Sequence, residues 1–568
     1  MEEPHNPHRQ FDGEVKKLHR PGENPQTRPE LMEKHLQQTG GKVMTRFPPE
    51  PNGYLHIGHG KALNFNFRYA EAHGGHCYLR FDDTNPEAEE TRYYESIQEM
   101  VTWLGFKPYK VTATSDYFHQ FYELAVKVIK AGKAYVCHQT AQEMQIGRGG
   151  ADGLGPKIES PWRNRPVEEN LREFENMRKG KYREHEATLR LKMDMHGGNP
   201  YFMDPVAYRV MYTAHCRTGD EWCVYPTYDF SHCLTDSMEN ISHSFCTTEF
   251  ASARPAYYWI CDAADAYKPV QWEYGRLNIT NTVLSKRKLM KLVNEKYVNG
   301  WDDPRLYTLA ALRRRGFTAR AINNFCEKLG ITSALTTVNV DTLEAAVRED
   351  LNLIATRAKA VLEPLKVTIT NFPEGVIEDR VVANNPVDAA QGEHTVPFTR
   401  VLYIDRSDFR EADDDPEYRR LAPGKEVGLQ RGYNITCTGV VKDSAGKVVE
   451  LTATYDPESK TKPKAYIQWV AHCPARHSPV VATINMYSSL FKSKNPDAHP
   501  DGFLADVNPD SLTVIRDAYV DITVLDAKPF DKFQFERVGY FCVDKESTPT
   551  HLIFNKTVNL KEDSKKTN

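Results

Sequence analysis

Two histidines three residues apart, in His56-Ile57-Gly58-His59, are the first residues whose types and spacing could do chemistry. They follow Pro48-Pro49-Glu50-Pro51-Asn52-Gly53, between a predicted strand and the start of a predicted helix. A helix start gathers unpaired backbone N–H groups and the positive end of the helix dipole, so it favours phosphate. Gly53 and Gly58 let the backbone approach a ligand closely. Imidazoles at i and i+3 there can face one ligand and donate hydrogen bonds to its oxygens as charge builds in a transition state. The pair also fits ordinary surface histidines at a helix start. The run Val283-Leu284-Ser285-Lys286-Arg287-Lys288 is a second candidate; three cations in a row suit a solvated face as well as a phosphate. Asp82 ends a predicted parallel strand, at the edge where such sheets bind ligands, and suits an α-ammonium group. It could instead cap the next helix, a role for which Asp83 or Thr84 is better placed. Arg313-Arg314-Arg315 reads either as a phosphate patch or as a solvated helix end.

The elements that must position these residues follow from punctuation and periodicity. Residues 1–44 form a lead-in with one helix, opened by Pro29, carrying Leu31, Met32 and Leu36, and closed by Gly40-Gly41. Residues 45–115 read as strand, loop, helix, strand, helix: VMTRF and HCYLRF are the strands, and Pro86 opens a helix running to about Leu104. Two strands joined by a helix imply a parallel pair with a right-handed crossover, one half of a nucleotide-binding sheet. Residues 116–220, with the Gly/Pro-rich GRGGADGLGPKIESPW, read as an insertion between two halves of that sheet, or as a separate domain. Residues 221–290 return to strands and loops. Residues 291–363 are helical, with Asp303-Pro304 and Thr318 as helix starts and Gly316 and Gly330 as stops. From 364 to 560 short alternating strands such as KVTITNF, VLYIDR and KAYIQWV predict one or two β-barrels, and 561–568 is a solvated tail.

Composition sets bounds on function. The 568 residues exceed one ordinary core, and 40% hydrophobic with 26% charged residues is a soluble globular profile. No apolar run approaches the roughly 18 residues of a membrane helix, and the polar, acidic start resembles neither a secretory signal nor a transit peptide. Eleven cysteines without a C-x-x-C pair argue against a zinc ribbon and fit a reduced compartment, so a cytoplasmic chain with free thiols is expected. With a net charge of −4, any RNA-binding surface must be local.

TRFPPEPNGYLHIGHG resembles the HIGH segment of class I aminoacyl-tRNA synthetases, and VLSKRK resembles their KMSKS loop, with Leu284 in place of the usual methionine. LRFDDTNPE, YPTYDFSHCLTDSMENISHSFCTTEF, QWEYGRLN, GWDDPRLYTLAALRRRGF and FDKFQFERVGYFCVD extend the likeness, in order, over nearly the whole chain. The branch is that of glutamate and glutamine. Tyr-Asp-Phe-Ser-His-Cys and Ser-His-Ser-Phe-Cys-Thr are similar to the glutaminyl family; the glutamyl family is the alternative, and a non-catalytic synthetase-like RNA-binding protein a more distant one. The implied fold is multidomain α/β plus all-β. It comprises a Rossmann-type parallel-sheet catalytic domain, an insertion that binds the acceptor stem, a helical connecting domain and C-terminal anticodon-binding β-barrels.

The resemblance also implies roles. ATP with Mg2+ enters as a substrate complex, with no tightly bound protein-ligated metal. His56 and His59 hold ATP phosphates and Lys286 neutralises the leaving pyrophosphate. Glu50, Pro51, Asn52, Gly58, Thr247, Arg276, Leu277 and Ser285 complete the nucleotide site. Asp82 takes the ammonium of L-glutamine, and Tyr228 resembles the residue that reads its side-chain amide, although core packing would also suit a tyrosine there. His232, Arg46, Cys246 and Gln271 match the same pocket. Arg313, Arg314 and Arg315 are RNA-phosphate candidates, and Arg357, Arg420, Gln534 and Arg537 match contacts to unstacked anticodon bases. The implied partner is tRNA-Gln, the implied state a monomer, and no membrane is involved. Two departures limit the transfer of bacterial RNA-identity details: Ser252 stands where bacterial relatives carry an acidic residue, and Gly428 where they carry an anticodon-reading arginine.

Overall fold

The structure is a computed structural model that describes residues 10–18, 22, 24–415, 417–459 and 461–561. The polar start of the chain and residues 562–568 of the expected tail lie outside the described residues. The chain divides into two units, one of residues up to 278 together with 326–337, the other of 279–325 together with 338 onward.

In the first unit, α1 (Pro29–Thr39) opens on its proline and stops where Gly40 turns left-handed at φ +63°. β1 (Met44–Phe47) and β2 (His76–Phe81), joined by α2 (Ile57–Ala72), pair in parallel with Met44 opposite His76. The helix expected from Pro86 instead begins at Thr91, as α3 (Thr91–Trp103). Residues 85–90 are drawn into a loop: the Asn85 N–H donates to the Glu89 carboxylate at 2.6 Å and the Glu90 N–H to the Pro51 carbonyl at 3.2 Å. Asp83 caps no helix there; it accepts the Ser115 N–H at 2.8 Å and hydroxyl at 2.6 Å. β3 (Val111–Ala113) joins β2 in parallel.

The segment after β3 contains α4 (Phe118–Lys130), β4 (Ala134–Cys137), α5 (Ala141–Gly147), α6 (Val167–Arg178), β5 (Thr188–Leu191), β6 (Val206–Val210) and β7 (Val224–Pro226). The four strands form one antiparallel sheet in chain order. Then follow α7 (Tyr228–Met238), β8 (His243–Thr247), α8 (Arg254–Ala264) and β9 (Val270–Tyr274). Phe121, Phe174 and Tyr208 share one buried core with Phe230 and Leu234 of α7 and Ile260 of α8, so the inserted sheet shares its core with these helices. β8 and β9 pair in parallel, and the Ser242 N–H donates to the Met44 carbonyl at 2.9 Å, which brings them beside β1. β1, paired with β2 and packed beside β8 of the two-stranded β8-β9 sheet, stands where the winding reverses, the place where open α/β folds bind ligands at their strands' carboxyl ends.

The second unit opens with α9 (Lys286–Asn294) and α10 (Leu309–Arg315). α10 starts five residues later than Asp303-Pro304 suggests, because the Asp303 carboxylate is taken by Arg305 and the Asn299 N–H, and Thr308 caps the helix. It ends at Gly316, φ +110°, as expected. α11 (Ala319–Leu329) is capped by the Thr318 hydroxyl, and α12 (Val340–Ile354) leads into the β region. Two seven-stranded barrel-like sheets follow. One closes around Leu365, Phe398, Leu451 and Trp469, the other around Ile484, Phe535, Phe541 and Phe554. Among the described residues no helix is long and apolar enough to cross a membrane, and all eleven cysteines are free thiols.

Candidate active site

His56 is the N-cap of α2, in extended backbone at φ −120°. Its Nδ1 accepts the Gly58 N–H at 3.1 Å, while the His56 N–H donates to Nδ1 of His59 at 3.0 Å. The two rings therefore cap the helix reciprocally, with centroids 3.9 Å apart. Because each Nδ1 is an acceptor, each neutral ring carries its proton on Nε2. Burial, the His59 ring and the Arg276 guanidinium hold His56 well below the usual imidazole range. Burial and Arg276 hold His59 at about 4. The strand-to-helix turn thus carries two neutral ring N–H donors at the positive end of the helix dipole. Gly58 allows this approach: a Cβ there would stand 2.9 Å from the His56 ring and 3.6 Å from the Leu277 carbonyl.

The remaining nucleotide candidates of this unit gather around that turn. The Asp82 N–H donates to the Pro49 carbonyl at 3.0 Å, tying the Pro-Pro-Glu-Pro loop to the end of β2, and Asn52 hydrogen-bonds Glu50. Thr247, at the end of β8, donates to Glu249 at 2.6 Å, and Glu249 pairs with Arg276 at 2.5 Å. Lys61 reaches from α2 to the Gly275 carbonyl at 2.9 Å, fixing the backbone just before Arg276 and Leu277. Asp82 is 7% exposed, and burial, with Glu50 and Asp83 adding like charge, pushes its carboxyl up to about 8.

A second set forms beside α7. A small cleft is lined by Tyr228, His232 and Gln271 from the expected set, and by Asp229, Phe250 and Tyr257, which sequence reasoning missed. Tyr228 and His232 stack at 4.9 Å, one helical turn apart. Gln271 is 4% exposed and its Oε1 has no hydrogen-bond partner. Arg46 and Cys246 lie behind this wall rather than in it. Arg46 is fully buried and spends its donors on Asp236 at 2.9 Å, the Phe245 carbonyl at 2.8 Å, Ser244 at 2.9 Å and Nε2 of His232 at 2.7 Å. It orients the pocket instead of touching a ligand. Accepting from Arg46, His232 carries its own proton on Nδ1; burial and the Arg46 and Arg80 guanidinia lower it to about 3, against the pull of Asp236. Asp236, which also binds Arg80, Ser244 and Tyr257, anchors the network. Its position four residues after His232 on a helix was the available signal.

In the second unit, Ser285 is the N-cap of α9 and Lys286 its first residue. Arg314 is bound to Asp544 at 2.9 Å and Glu546 at 2.8 Å, and Arg315 to Glu344 at 2.8 Å and the Thr557 carbonyl at 2.9 Å. These two are internal ties, which corrects both the phosphate-patch and the solvated-end expectation; Arg313 lies over the Phe530 ring at 4.9 Å. Arg357 is 3% exposed and donates to the Ala355 carbonyl at 2.8 Å and to Asn352 at 2.9 Å, with Gln534 opposite it in the strand pairing. Its guanidinium braces the backbone and is not displayed for a base. Arg420 and Arg537, distant in sequence, meet at the buried Asp408 at 3.2 and 3.0 Å, in a cleft of about 1150 Å³. Gly428 has a local reason: a Cβ there would come within 2.6 Å of Tyr466 and 2.7 Å of Pro463.

Models of the tRNA synthetases class I (E and Q) match the catalytic domain over residues 42–353 and anti-codon binding domains over residues 355–456 and 466–544. Sheet, helix-start histidines and paired β-domains thus define a class I tRNA synthetase of the E and Q type. The glutamine–tRNA ligase of Rattus norvegicus is 54% identical over 567 residues, covering 98% of this chain and 71% of the rat protein. That of Saccharomyces cerevisiae is 48% identical over 590 residues, covering 98% and 73%. The chain belongs to the glutamine–tRNA ligase family. The crystal structure of a glutamate tRNA ligase from Elizabethkingia meningosepticum covers 55% of this chain and 70% of its own at 18% identity and a TM-score of 0.43, too loose a likeness to add to the fold.

Proposed function

We propose that the protein activates L-glutamine with ATP and transfers it to the 3′-terminal adenosine of tRNA-Gln, releasing AMP and pyrophosphate. The observation that carries the choice of amino acid is the α7 cleft, whose lining contains no cation. It offers the Tyr228 hydroxyl, a neutral His232, the unpartnered Gln271 Oε1 and the Asp229 carboxylate. An amide finds acceptors and donors there, whereas a glutamate carboxylate meets no balancing charge; buried polar groups left with wrong partners make such sites strongly selective.

A glutamine carboxylate oxygen attacks the α-phosphorus, and the bond to the β-phosphate breaks. Pyrophosphate leaves with the magnesium that entered with ATP. The 2′-hydroxyl of the terminal adenosine then attacks the acyl carbon, loses its proton, and AMP departs. The protein's part is positioning and charge stabilisation. His56 and His59 donate from Nε2 to phosphate oxygens; Lys286 neutralises the pyrophosphate. The loop at Glu50, Pro51 and Asn52, with Thr247, Arg276, Leu277 and Ser285, frames the nucleotide. Among the described residues no group of three or more His, Cys, Asp or Glu is placed to hold a metal ion. Residues 45–115 and 221–290 form the catalytic part, 116–220 meets the acceptor stem, 291–363 connects, and 364–560 reads the anticodon, with Arg420, Gln534 and Arg537 nearest the bases. The protein acts in the cytoplasm as a monomer.

Asp82 binds the substrate ammonium, and this fixes a pH dependence. Its carboxyl, raised to about 8, holds a proton in the free protein at neutral pH, whereas the ammonium needs the carboxylate. Apparent affinity for glutamine therefore rises with pH up to that value, by about tenfold per unit well below it, and binding releases a proton. Calorimetric titration in buffers of different ionisation enthalpy measures both; a flat profile would remove Asp82 from the ammonium site.

The function is tested by charging total tRNA with labelled glutamine and, separately, glutamate. Charging with glutamine alone, dependent on ATP and tRNA, is expected. Charging with glutamate would overturn the account of the α7 cleft.

A further inference from the structure

The turn His215–Gly219, inserted between β6 and β7, reaches the loop that follows β2. His215 is 2% exposed and boxed by the rings of Phe118 and Tyr225, at 5.4 and 6.0 Å. Its Nδ1 accepts the N–H groups of Arg217 at 3.1 Å and Thr218 at 3.2 Å, which puts its proton on Nε2. That N–H donates to the Asp83 carbonyl at 2.9 Å, with Glu89 Oε2 3.3 Å away. Glu89 accepts the Asn85 N–H with its other oxygen, and Arg209 on β6 donates to the Thr84 carbonyl at 3.2 Å. The Asp83 side chain is held by Ser115 and by the Tyr94 hydroxyl at 3.1 Å. The backbone carbonyls of Asp83 and Thr84 are thus held from the inserted sheet, by His215 and Arg209. The Asp82 carboxyl, one residue earlier, receives a long contact of 3.4 Å from Thr84. Its direction is set by the backbone behind it.

We propose that His215 is a positioning residue: by holding the Asp83 peptide it aims the Asp82 carboxylate at the ammonium of the amino acid. The proposal rests on the reading of Asp82 as the ammonium ligand. A shift of the order of an ångström at such a group costs up to about a hundredfold, so the effect is measurable.

The experiment uses the full chain with tRNA and measures pyrophosphate exchange with glutamine and with glutaramate, the same molecule without its ammonium. His215→Leu is expected to raise KM for glutamine about ten- to a hundredfold, while KM for ATP and for glutaramate stays within about twofold. His215→Gln, whose amide can donate to the Asp83 carbonyl, restores most of the loss. A rise in all three constants, or no rescue by His215→Gln, would reduce His215 to a structural residue. Asp82→Asn is measured in parallel. If it keeps the preference for glutamine over glutaramate, the ammonium reading is wrong. If it loses that preference while folded His215→Leu keeps a normal KM for glutamine, the positioning proposal is overturned. Should the leucine variant not fold, Glu89→Gln carries the same test: a raised KM for glutamine alone supports the clamp, and an unchanged KM overturns it.

Discussion

Lys286→Ala slows adenylate formation by about 10²–10³-fold and changes glutamine binding less than about threefold. The frame around Lys286 is rigid. α9 is pinned by Leu289 and Leu292 against Leu490 and Phe491, and Lys288 pairs with Asp497 at 2.5 Å. Asn281, left-handed at φ +60°, hydrogen-bonds the Lys494 and Ser493 carbonyls at 2.9 and 3.0 Å, so the loop is anchored at both ends. A lysine on the first turn of such a helix is set to meet negative charge on a departing phosphate, which grows only as the bond breaks. Losing an interaction made mainly in the transition state lowers kcat without weakening the ground state. Rapid-quench measurement of adenylate, alongside equilibrium binding of glutamine, separates the two quantities. Equal losses in both would contradict the role.

Asp236→Asn destabilises the first unit by about 3–5 kcal/mol, because it leaves the Arg46 guanidinium buried without an anion and Arg80 with Glu239 alone. Asp236 and Arg46 are fully buried, Arg80 is 2% exposed, and the carboxylate also accepts from Ser244 at 2.7 Å and Tyr257 at 2.9 Å. Despite its burial, Arg46 and Arg80 hold the carboxyl well below the usual carboxylate range. A depressed folded value means that the stabilisation is complete above the unfolded value of about 4 and is lost only as pH falls through the folded one. Acid therefore reproduces the effect of the mutation well below neutrality. Chemical denaturation followed on the first unit measures the loss. A change under about 1 kcal/mol would show that Arg46 and Arg80 find other partners.

Local punctuation carried much of the fold. The strands at Met44–Phe47 and His76–Phe81 and the stops at Gly40 and Gly316 were legible because residue type alone decides them. Helix starts at Pro86 and Pro304 were misplaced for a common reason: Glu89 and Asp303, suited to a first helical turn, are recruited by nearby backbone into loops instead. The site divides in the same way. His56 and His59 are legible because their partners lie within three residues. Arg46, Arg314 and Arg357 were misassigned because a guanidinium's partners come from anywhere in the chain, and sequence does not distinguish a displayed arginine from one spent on buried acids and carbonyls. His215 carries no motif at all; its role exists only where the turn meets Asp83.

The reciprocal cap at the start of α2 has one more consequence. The same two backbone hydrogen bonds that end the helix also select which nitrogen of each ring bears the proton. If this first turn frays, both imidazoles regain a mixture of tautomers and free rotation together, even with the rest of the unit intact. Catalytic competence is thereby tied to the opening free energy of a single helical turn, a quantity read by hydrogen exchange at the amides of His56 and Gly58 rather than by any global melting temperature.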